Sequence, residues 1–165
     1  MPRGFTLLET LLFIGASSII VLIVAGLLHL ILVAQTKQTI ISEINETGIR
    51  ALAVISSVVQ DSSTITALSI GQNGSSLTLD RRNLADTPTI LDIANSTLRL
   101  TEGGQTPSAL HSSRINASGL EVTNLSPTTS TPGVVDIRFT LSSINPSSRA
   151  EYEYSKTFQS AFSLR

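Results

Sequence analysis

The chain contains no cysteine and no tryptophan, and only 4% of its 165 residues are aromatic. Without cysteine there are no disulfides, no thiolate zinc ligands and no cysteine nucleophiles. Charged residues make up only 14% of the chain, and its net charge is −1. Lys and Arg are not clustered as they are in proteins that bind nucleic acid, so no nucleic-acid partner is expected. Serine and threonine, by contrast, supply 43 residues, and this composition favours strands over enzyme clefts.

One long apolar segment lies near the N-terminus. No Asp, Glu, Lys or Arg occurs between Thr10 and Thr36. This segment is longer than the roughly 20 residues that a helix needs to cross the hydrocarbon of a membrane. We therefore predict a membrane-spanning helix over residues 5–36. His29 is expected near the far membrane interface, because it lies about 36 Å along this helix from Phe5.

The residues before the apolar segment are unusual for an exported protein. A secretory signal peptide is cleaved after its apolar region, whereas here only the residues Met1-Pro2-Arg3-Gly4 precede Phe5. Glu9 places a carboxylate at the start of a membrane helix, where it costs up to about 3 kcal/mol unless a cation or a hydrogen-bond donor meets it. Beyond Gly4 no Lys or Arg occurs before Lys37. Cleavage after Gly4 would create, at Phe5, the amine that Glu9 otherwise lacks.

The string Gly4-Phe5-Thr6-Leu7-Leu8-Glu9, followed directly by the apolar segment, closely resembles the processing motif of type IV prepilins and type II secretion pseudopilins. The resemblance implies a leader, residues 1–4, which a membrane aspartyl prepilin peptidase removes between Gly4 and Phe5. It also implies N-methylation of Phe5 and pairing of Glu9 with the N-terminal amine of a neighbouring subunit. The leader departs from the family in having a single Arg, and the helix lacks the proline that many major pilins carry near Gly26.

The same resemblance implies a location and a set of partners. The chain would be a single-pass protein of the cytoplasmic membrane, with its N-terminus cytoplasmic and its C-terminal domain outside. It would later enter a cell-surface pilus or a periplasmic pseudopilus. The implied partners are other pilin or pseudopilin subunits, the prepilin peptidase, the inner-membrane assembly platform and, before assembly, membrane lipid. The small domain without cysteine favours a minor pilin, while a secretion pseudopilin and a DNA-uptake pilus component remain open.

The helical pattern continues over residues 37–63, where apolar residues keep to one face. The members of this stripe recur at steps of three and four residues: Ile41, Ile44, Gly48, Leu52, Ile55 and Val59. The polar cluster Asp61-Ser62-Ser63-Thr64 favours turns, so we predict that the helix ends near Ser62. Because this half is amphipathic, we expect it to pack on another element.

Residues 64–165 are predicted to form a β-rich globular domain, because apolar and polar residues now alternate. A first hairpin is predicted from the strands 65–70 and 76–80, with a turn over Gly71–Ser75 that contains Asn73-Gly74. A second pair of strands, 89–94 and 97–101, is expected on either side of Asn95-Ser96.

Two further strands are predicted towards the C-terminus, over Val134–Leu141 and Tyr152–Leu164, with a less regular region around Leu110 and Ile115 between the hairpins and these strands. The strand order over residues 81–120 is left open. The fold class is therefore α+β, with a long N-terminal helix packed against one C-terminal antiparallel sheet, as in pilins.

No enzyme chemistry, metal site or cofactor is expected. His111, the only histidine of the domain, is interpreted as a surface residue, and the carboxylates of Asp80, Asp86, Asp92 and Asp136 lack the spacing of a calcium loop. Sequons begin at Asn45, Asn73, Asn95, Asn116 and Asn124.

The alternative from another functional class is an uncleaved, membrane-anchored binding or adhesion module. In that case the helix would be only a tether. The loops Ser126–Gly133 and Asn145–Arg149, which are predicted to be exposed, would then contact a ligand.

Overall fold

The computed structural model describes residues 6–127, 133–145 and 148–165. The chain divides into two compact units, Met1–Thr39 and Ile40–Arg165. In these described ranges the helix and strands are α1 (Leu7–Gln60), β1 (Ser62–Ile65), β2 (Asn73–Gly74), β3 (Leu77–Arg81), β4 (Thr89–Ala94), β5 (Thr97–Glu102), β6 (Ser108–Ala109), β7 (Ile115–Asn124), β8 (Val134–Ser143) and β9 (Ser155–Ser163). Short 3₁₀ turns span Leu84–Asp86 and Ala150–Tyr152.

The first unit contains the N-terminal part of α1. Its large apolar side chains are exposed on all sides of the helix, and Leu8, Ile20 and Leu30 are 73%, 62% and 64% exposed. None of its most apolar stretch is buried within the chain. The helix is long enough and apolar enough to cross a membrane, so apolar surface that the described chain leaves bare must be covered by lipid or by another molecule.

The second unit is built on residues 40–60 of α1. The buried residues of α1 all fall in this part of the helix: Ile44, Gly48, Ala51, Ile55, Val58 and Val59. The predicted stripe is confirmed at Ile44, Gly48, Ile55 and Val59. Ile41 and Leu52 are only half-buried, because they lie at the edge of the buried face, whose centre is nearer Ala51.

Five strands form the first sheet, in the order β1-β3-β4-β5-β6, and all neighbours are antiparallel. The predicted pairing of β4 with β5 is confirmed, from Thr89 opposite Glu102 to Ala94 opposite Thr97. Asn95 and Ser96, which connect these strands, have φ angles of 50° and 57°. Positive φ at both central residues is what a two-residue type I′ hairpin requires.

The predicted first hairpin is wrong at its turn. β1 does pair with β3, but Asn73-Gly74 forms the short strand β2, which pairs with Val122 and Thr123 of β7. Neither Asn73 nor Gly74 has the positive φ of a type I′ turn. Asn124 extends this pairing, because its carbonyl accepts from the Gly71 N–H at 2.8 Å. Long-range pairing with β7 therefore overrides the local turn signal.

The helix α1 ends two residues earlier than predicted, and Arg81 binds the residue that follows its end. Its guanidinium donates to Asp61 Oδ2 from Nε at 3.1 Å and from Nη2 at 2.8 Å, and to Glu102 of β5 from Nη1. The Arg81 side chain is only 16% exposed. This cation thus ties the residue that follows α1 to two strands of the first sheet, and Ser62 already belongs to β1.

Four strands form the second sheet, in the order β2-β7-β8-β9, again antiparallel throughout. The predicted alternation in β8 is confirmed: Val135, Ile137, Phe139 and Leu141 are buried. The terminal strand begins at Ser155 instead of Tyr152, because Tyr152 lies in the short 3₁₀ turn that precedes β9.

The α+β fold class is confirmed, but the strands form two sheets where one was predicted. The outer edge of β5 is already occupied where β7 would have to pair with it. Leu98 receives a hydrogen bond on its carbonyl from the Leu110 N–H at 2.9 Å, and it donates its own N–H to His111 Nε2 at 3.0 Å. The first sheet therefore ends with the segment that contains β6.

The strand β7 was not predicted from the sequence, where an irregular region was expected near Ile115. Its buried residues switch from odd positions, Ile115 and Ala117, to even positions, Leu120 and Val122. The switch coincides with a β-bulge between Ser118 and Glu121. One extra residue reverses the phase of alternation, and so it conceals the strand from a period-two pattern.

At Gly48 the backbone of α1 lies close to a side chain of the second sheet. A Cβ atom added there would lie 2.1 Å from Cζ of Phe158. The Phe158 ring cannot easily retreat, because it is buried and stacks on Phe139 with the ring centroids 5.7 Å apart. Glycine is therefore required at this position by packing.

We predict that Gly48→Ala destabilises the second unit. Overpacking costs about 1–3 kcal/mol, which exceeds the gain of about 1 kcal/mol in helix propensity. The free energy of unfolding of the full chain in detergent, measured by denaturant titration with circular dichroism, should fall. Gly26→Ala is the matched control, since within the described residues nothing lies within 4 Å of its added Cβ. Equal stability of the two variants would contradict the prediction.

Candidate assembly site

The predicted processing positions, Gly4 and Phe5, lie outside the described residues. The description begins at Thr6, and α1 begins at Leu7. Glu9 is therefore the third residue of the helix. Its role in subunit assembly is not tested by this placement and stays a prediction.

Thr6 caps the start of α1. Its carbonyl accepts hydrogen bonds from the N–H groups of Glu9 at 3.0 Å and Thr10 at 3.2 Å, and its Oγ1 lies 3.4 Å from the same Glu9 nitrogen. Thr6 and Glu9 have the spacing of a capping box, in which a hydroxyl at the N-cap meets the third helical N–H. This role of Thr6 was not predicted from the sequence, although a Thr followed three residues later by Glu before an apolar run is the signal for it.

The position of Glu9 in the first turn is favourable for a carboxylate. The unpaired N–H groups of a helix N-terminus carry a partial positive charge, which stabilises an anion by about 0.3–1 kcal/mol. This is less than the cost of about 3 kcal/mol for a charge within the membrane. The helix N-terminus therefore offsets only part of the free-energy cost of the Glu9 charge in a membrane.

Glu9 differs from the hydroxyl-bearing residues of the same segment. Thr10 donates to the Leu7 carbonyl at 2.9 Å, and Ser17 and Ser18 donate to the Ile14 carbonyl at 3.0 Å and 2.8 Å. Within residues 6–127, 133–145 and 148–165, no hydrogen bond or ion pair engages the Glu9 carboxylate. Any ionic partner of the Glu9 carboxylate would therefore lie outside the described residues.

The surroundings of Glu9 are apolar and exposed. Leu8, Leu12 and Phe13 are 73%, 66% and 76% exposed. A surface of this kind can bind lipid or a second apolar helix, and a carboxylate within it is costly in free energy unless a cation or a hydrogen-bond donor lies beside it. The arrangement is suited to helix association and offers no nucleophile with a general base.

The carboxylates considered for calcium have separate partners. Asp92 receives hydrogen bonds from Arg99 at 3.0 and 2.6 Å, and this contact raises the pKa of Arg99. Asp136 accepts from Gln159 at 2.7 Å. In the part of the chain that the structure describes, no group of three or more His, Asp or Glu side chains is placed to hold a metal ion.

His111 is not the surface residue that the sequence predicted. The ring is half-buried and accepts the Leu98 N–H on Nε2, while Nδ1 lies 2.8 Å from the Ser112 carbonyl. A neutral ring with its proton on Nδ1 satisfies both contacts. The histidine therefore acts as a backbone partner at the end of the first sheet.

The two loops of the binding-module alternative are described only in part, since residues 128–132 and 146–147 lie outside the described ranges. Ser126 was predicted to be exposed but is buried at 7% exposure. Its Oγ donates to Asn124 Oδ1 at 2.5 Å and accepts the Val134 N–H at 3.1 Å. Asn124 is itself buried and donates to the Leu68 carbonyl, so this sequon is closed to glycosylation in the folded chain.

Comparisons of this chain with protein-family models, with curated proteins and with solved structures give no match in any of the three sets.

We predict that Thr6→Ala frays the start of α1 while Thr6→Ser preserves it. Loss of an N-cap hydroxyl costs about 1 kcal/mol, which corresponds to roughly fivefold faster exchange of the capped amide. Hydrogen exchange of the Glu9 amide, followed by NMR on the chain in micelles, measures the effect. Exchange in Thr6→Ala that matches both the native chain and Thr6→Ser would mean that the hydroxyl does not cap the helix.

Proposed function

We propose that this chain is a structural subunit of a type IV pilus-like filament, specifically a minor pilin, which is cleaved between Gly4 and Phe5 and assembles through α1. The observation that carries the proposal is the Glu9 carboxylate, set in the first turn of an apolar helix that the described chain leaves bare. The string Gly4-Phe5-Thr6-Leu7-Leu8-Glu9 resembles the prepilin processing motif. Cleavage at this motif would create an amine at Phe5, which is the cation that matches Glu9.

Cleavage and assembly would satisfy two physical demands together. Cleavage after Gly4 creates a positively charged amine at Phe5, and the same amine on a neighbouring subunit neutralises Glu9. Packing of the apolar helices side by side removes from water or lipid the surface that the single chain exposes. Because charges interact strongly away from water, the pair also fixes the axial register between neighbouring helices.

In this proposal the chain is first a membrane protein and later a part of the filament. Before assembly, α1 spans the cytoplasmic membrane with the N-terminus on the cytoplasmic side and the second unit outside. The prepilin peptidase and the inner-membrane assembly platform act on it there. The assembled form lies in a surface pilus among other pilin subunits.

The position of Glu9 favours a filament subunit over a membrane-anchored binding module. A helix that serves only as a tether gains nothing from a carboxylate in its apolar first turn, which costs free energy in lipid. A cavity of about 500 Å³ in the second unit, lined by residues including Thr64, Leu68 and Asn124, offers a place for a ligand. Nothing in its lining specifies one, so the binding module is the weaker hypothesis.

We predict that the mature chain begins at N-methylated Phe5. Peptide mass spectrometry of purified surface filaments and of the membrane fraction should detect this terminus in both, and its stoichiometry in filaments separates a minor from a major subunit. Gly4→Val is the control, because a side chain at the cleaved bond should block processing and leave Met1 in place. An intact Met1 in the native chain, with none of it in filaments, would support the tethered module instead.

A second prediction concerns Glu9 alone. Glu9→Gln keeps the size of the side chain and removes its charge, whereas Glu9→Asp keeps the charge. Removing one member of a buried ion pair costs about 3–5 kcal/mol, so incorporation of Glu9→Gln into filaments should fall by about 100-fold or more. Quantitative mass spectrometry of filaments, normalised to the amount in the membrane, measures the change. Normal incorporation of Glu9→Gln would refute the assembly role of this residue.

A further inference from the structure

The two sheets of the second unit have four edges, and only one of them is long and regular among the described residues. β2 and β6 are two residues each, and β1 has four residues with a bulge between Ser62 and Thr64. β9 has nine residues and pairs with β8 without any register shift. Natural sheets protect their edges with short strands, bulges, charges or prolines, because an open edge binds other strands.

The direction of the hydrogen bonds along β9 defines its open side. At one end of the ladder the Ser143 N–H donates to the Tyr154 carbonyl at 3.0 Å, and at the other end the Leu164 N–H donates to the Gly133 carbonyl at 2.8 Å. In an antiparallel pair such hydrogen-bonded positions alternate. Even-numbered residues of β9 therefore pair with β8, and odd-numbered residues point their backbone N–H and C=O groups away from the sheet.

These outward backbone groups belong to Ser155, Thr157, Gln159, Ala161 and Ser163. Their side chains are all exposed. Within residues 6–127, 133–145 and 148–165, their backbone groups have no hydrogen-bond partner. The row can therefore accept a whole additional strand, as in recognition by β-strand addition.

The edge lacks the charges that would repel a second strand. Lys156 is the only charged residue of β9, and its backbone faces β8. Its Nζ donates to Asn45 Oδ1 at 2.6 Å and lies 5.3 Å from the centroid of the Phe158 ring. The lysine is thus held against its own unit, and the strand contains no proline.

We propose that β9 pairs antiparallel with β9 of a second copy of this chain, with Gln159 opposite Gln159. This register overlaps all nine residues of the strand. It places Thr157 opposite Ala161 and Ser155 opposite Ser163. The two lysines face Phe162 of the opposite copy, so no like charges meet. The strand is therefore complementary to itself in hydrogen bonding, in size and in charge.

The pairing joins two four-stranded sheets into one sheet of eight strands. It is an isologous contact, which closes after two copies and cannot by itself propagate a filament. The inference therefore stands apart from the proposed pilus function, and either can fail without the other. In a filament, such a contact would add a pairwise link to the repeating helix contact.

Single cysteines test the register, since the native chain has none. With Gln159→Cys, the two introduced residues face each other with Cα atoms about 5.5 Å apart, within the range that a disulfide bridges. With Thr157→Cys, the equivalent atoms are four residues apart along the strand, roughly 13 Å. Full-length chains in nanodiscs that hold two copies, exposed to a mild oxidant, should give dimers with Gln159→Cys but not with Thr157→Cys alone. Mixing Thr157→Cys with Ala161→Cys should restore the dimer.

A second pair of variants tests the edge without cysteine. Gln159→Pro removes an outward N–H and leaves the bonds to β8 in place, since proline is tolerated on an edge strand. Gln159→Val keeps the N–H and removes the same side chain. Light scattering in detergent should show dimers for Gln159→Val and at least tenfold weaker association for Gln159→Pro. Equal association of these two variants, or equal cross-linking of Gln159→Cys and Thr157→Cys, would each overturn the proposal.

Discussion

The buried stripe of α1, from Ile44 to Val59, is the constraint on which the second unit depends. The stripe and the apolar faces of both sheets form one hydrophobic core. This core includes Leu79 and Leu98 of the first sheet and Phe139 of the second. A sheet without such a cover would expose one apolar face to water. The need for close packing also explains Gly48, where the Phe158 ring occupies the space that any Cβ would take.

The N-terminal part of α1 presents the opposite situation, because its apolar surface is left bare within the described chain. Its hydroxyl groups are satisfied by the helix backbone, so Ser17 and Ser18 add little polarity. Glu9 is different, since the helix N-terminus stabilises its carboxylate only in part. One helix therefore contributes to a folded core in one region and presents an apolar surface with a single carboxylate in another, a combination that the proposed filament function requires.

The edges of the two sheets differ in whether their backbone N–H and C=O groups have hydrogen-bond partners. At β5, Leu110 and His111 occupy both backbone groups of Leu98 and end the first sheet. At β1, a bulge interrupts the pairing, and Arg81 donates a hydrogen bond to Asp61, the residue before this strand. β9 has neither device on its outer side. Backbone hydrogen bonding thus determines where this unit stops and where it can continue into another chain.

The sequence alone determined the long helix, the hairpin of β4 and β5, and the alternation in β8, because each follows from a local pattern of apolar side chains or turn residues. It also led to the prediction that the Glu9 carboxylate pairs with a cation. The tertiary structure decided the rest. Asn73-Gly74 became a strand because β7 offered long-range hydrogen bonds, and β7 was concealed because one bulged residue reverses its alternation. The division into two sheets, likewise, follows from contacts between residues distant in sequence, which no local period can report.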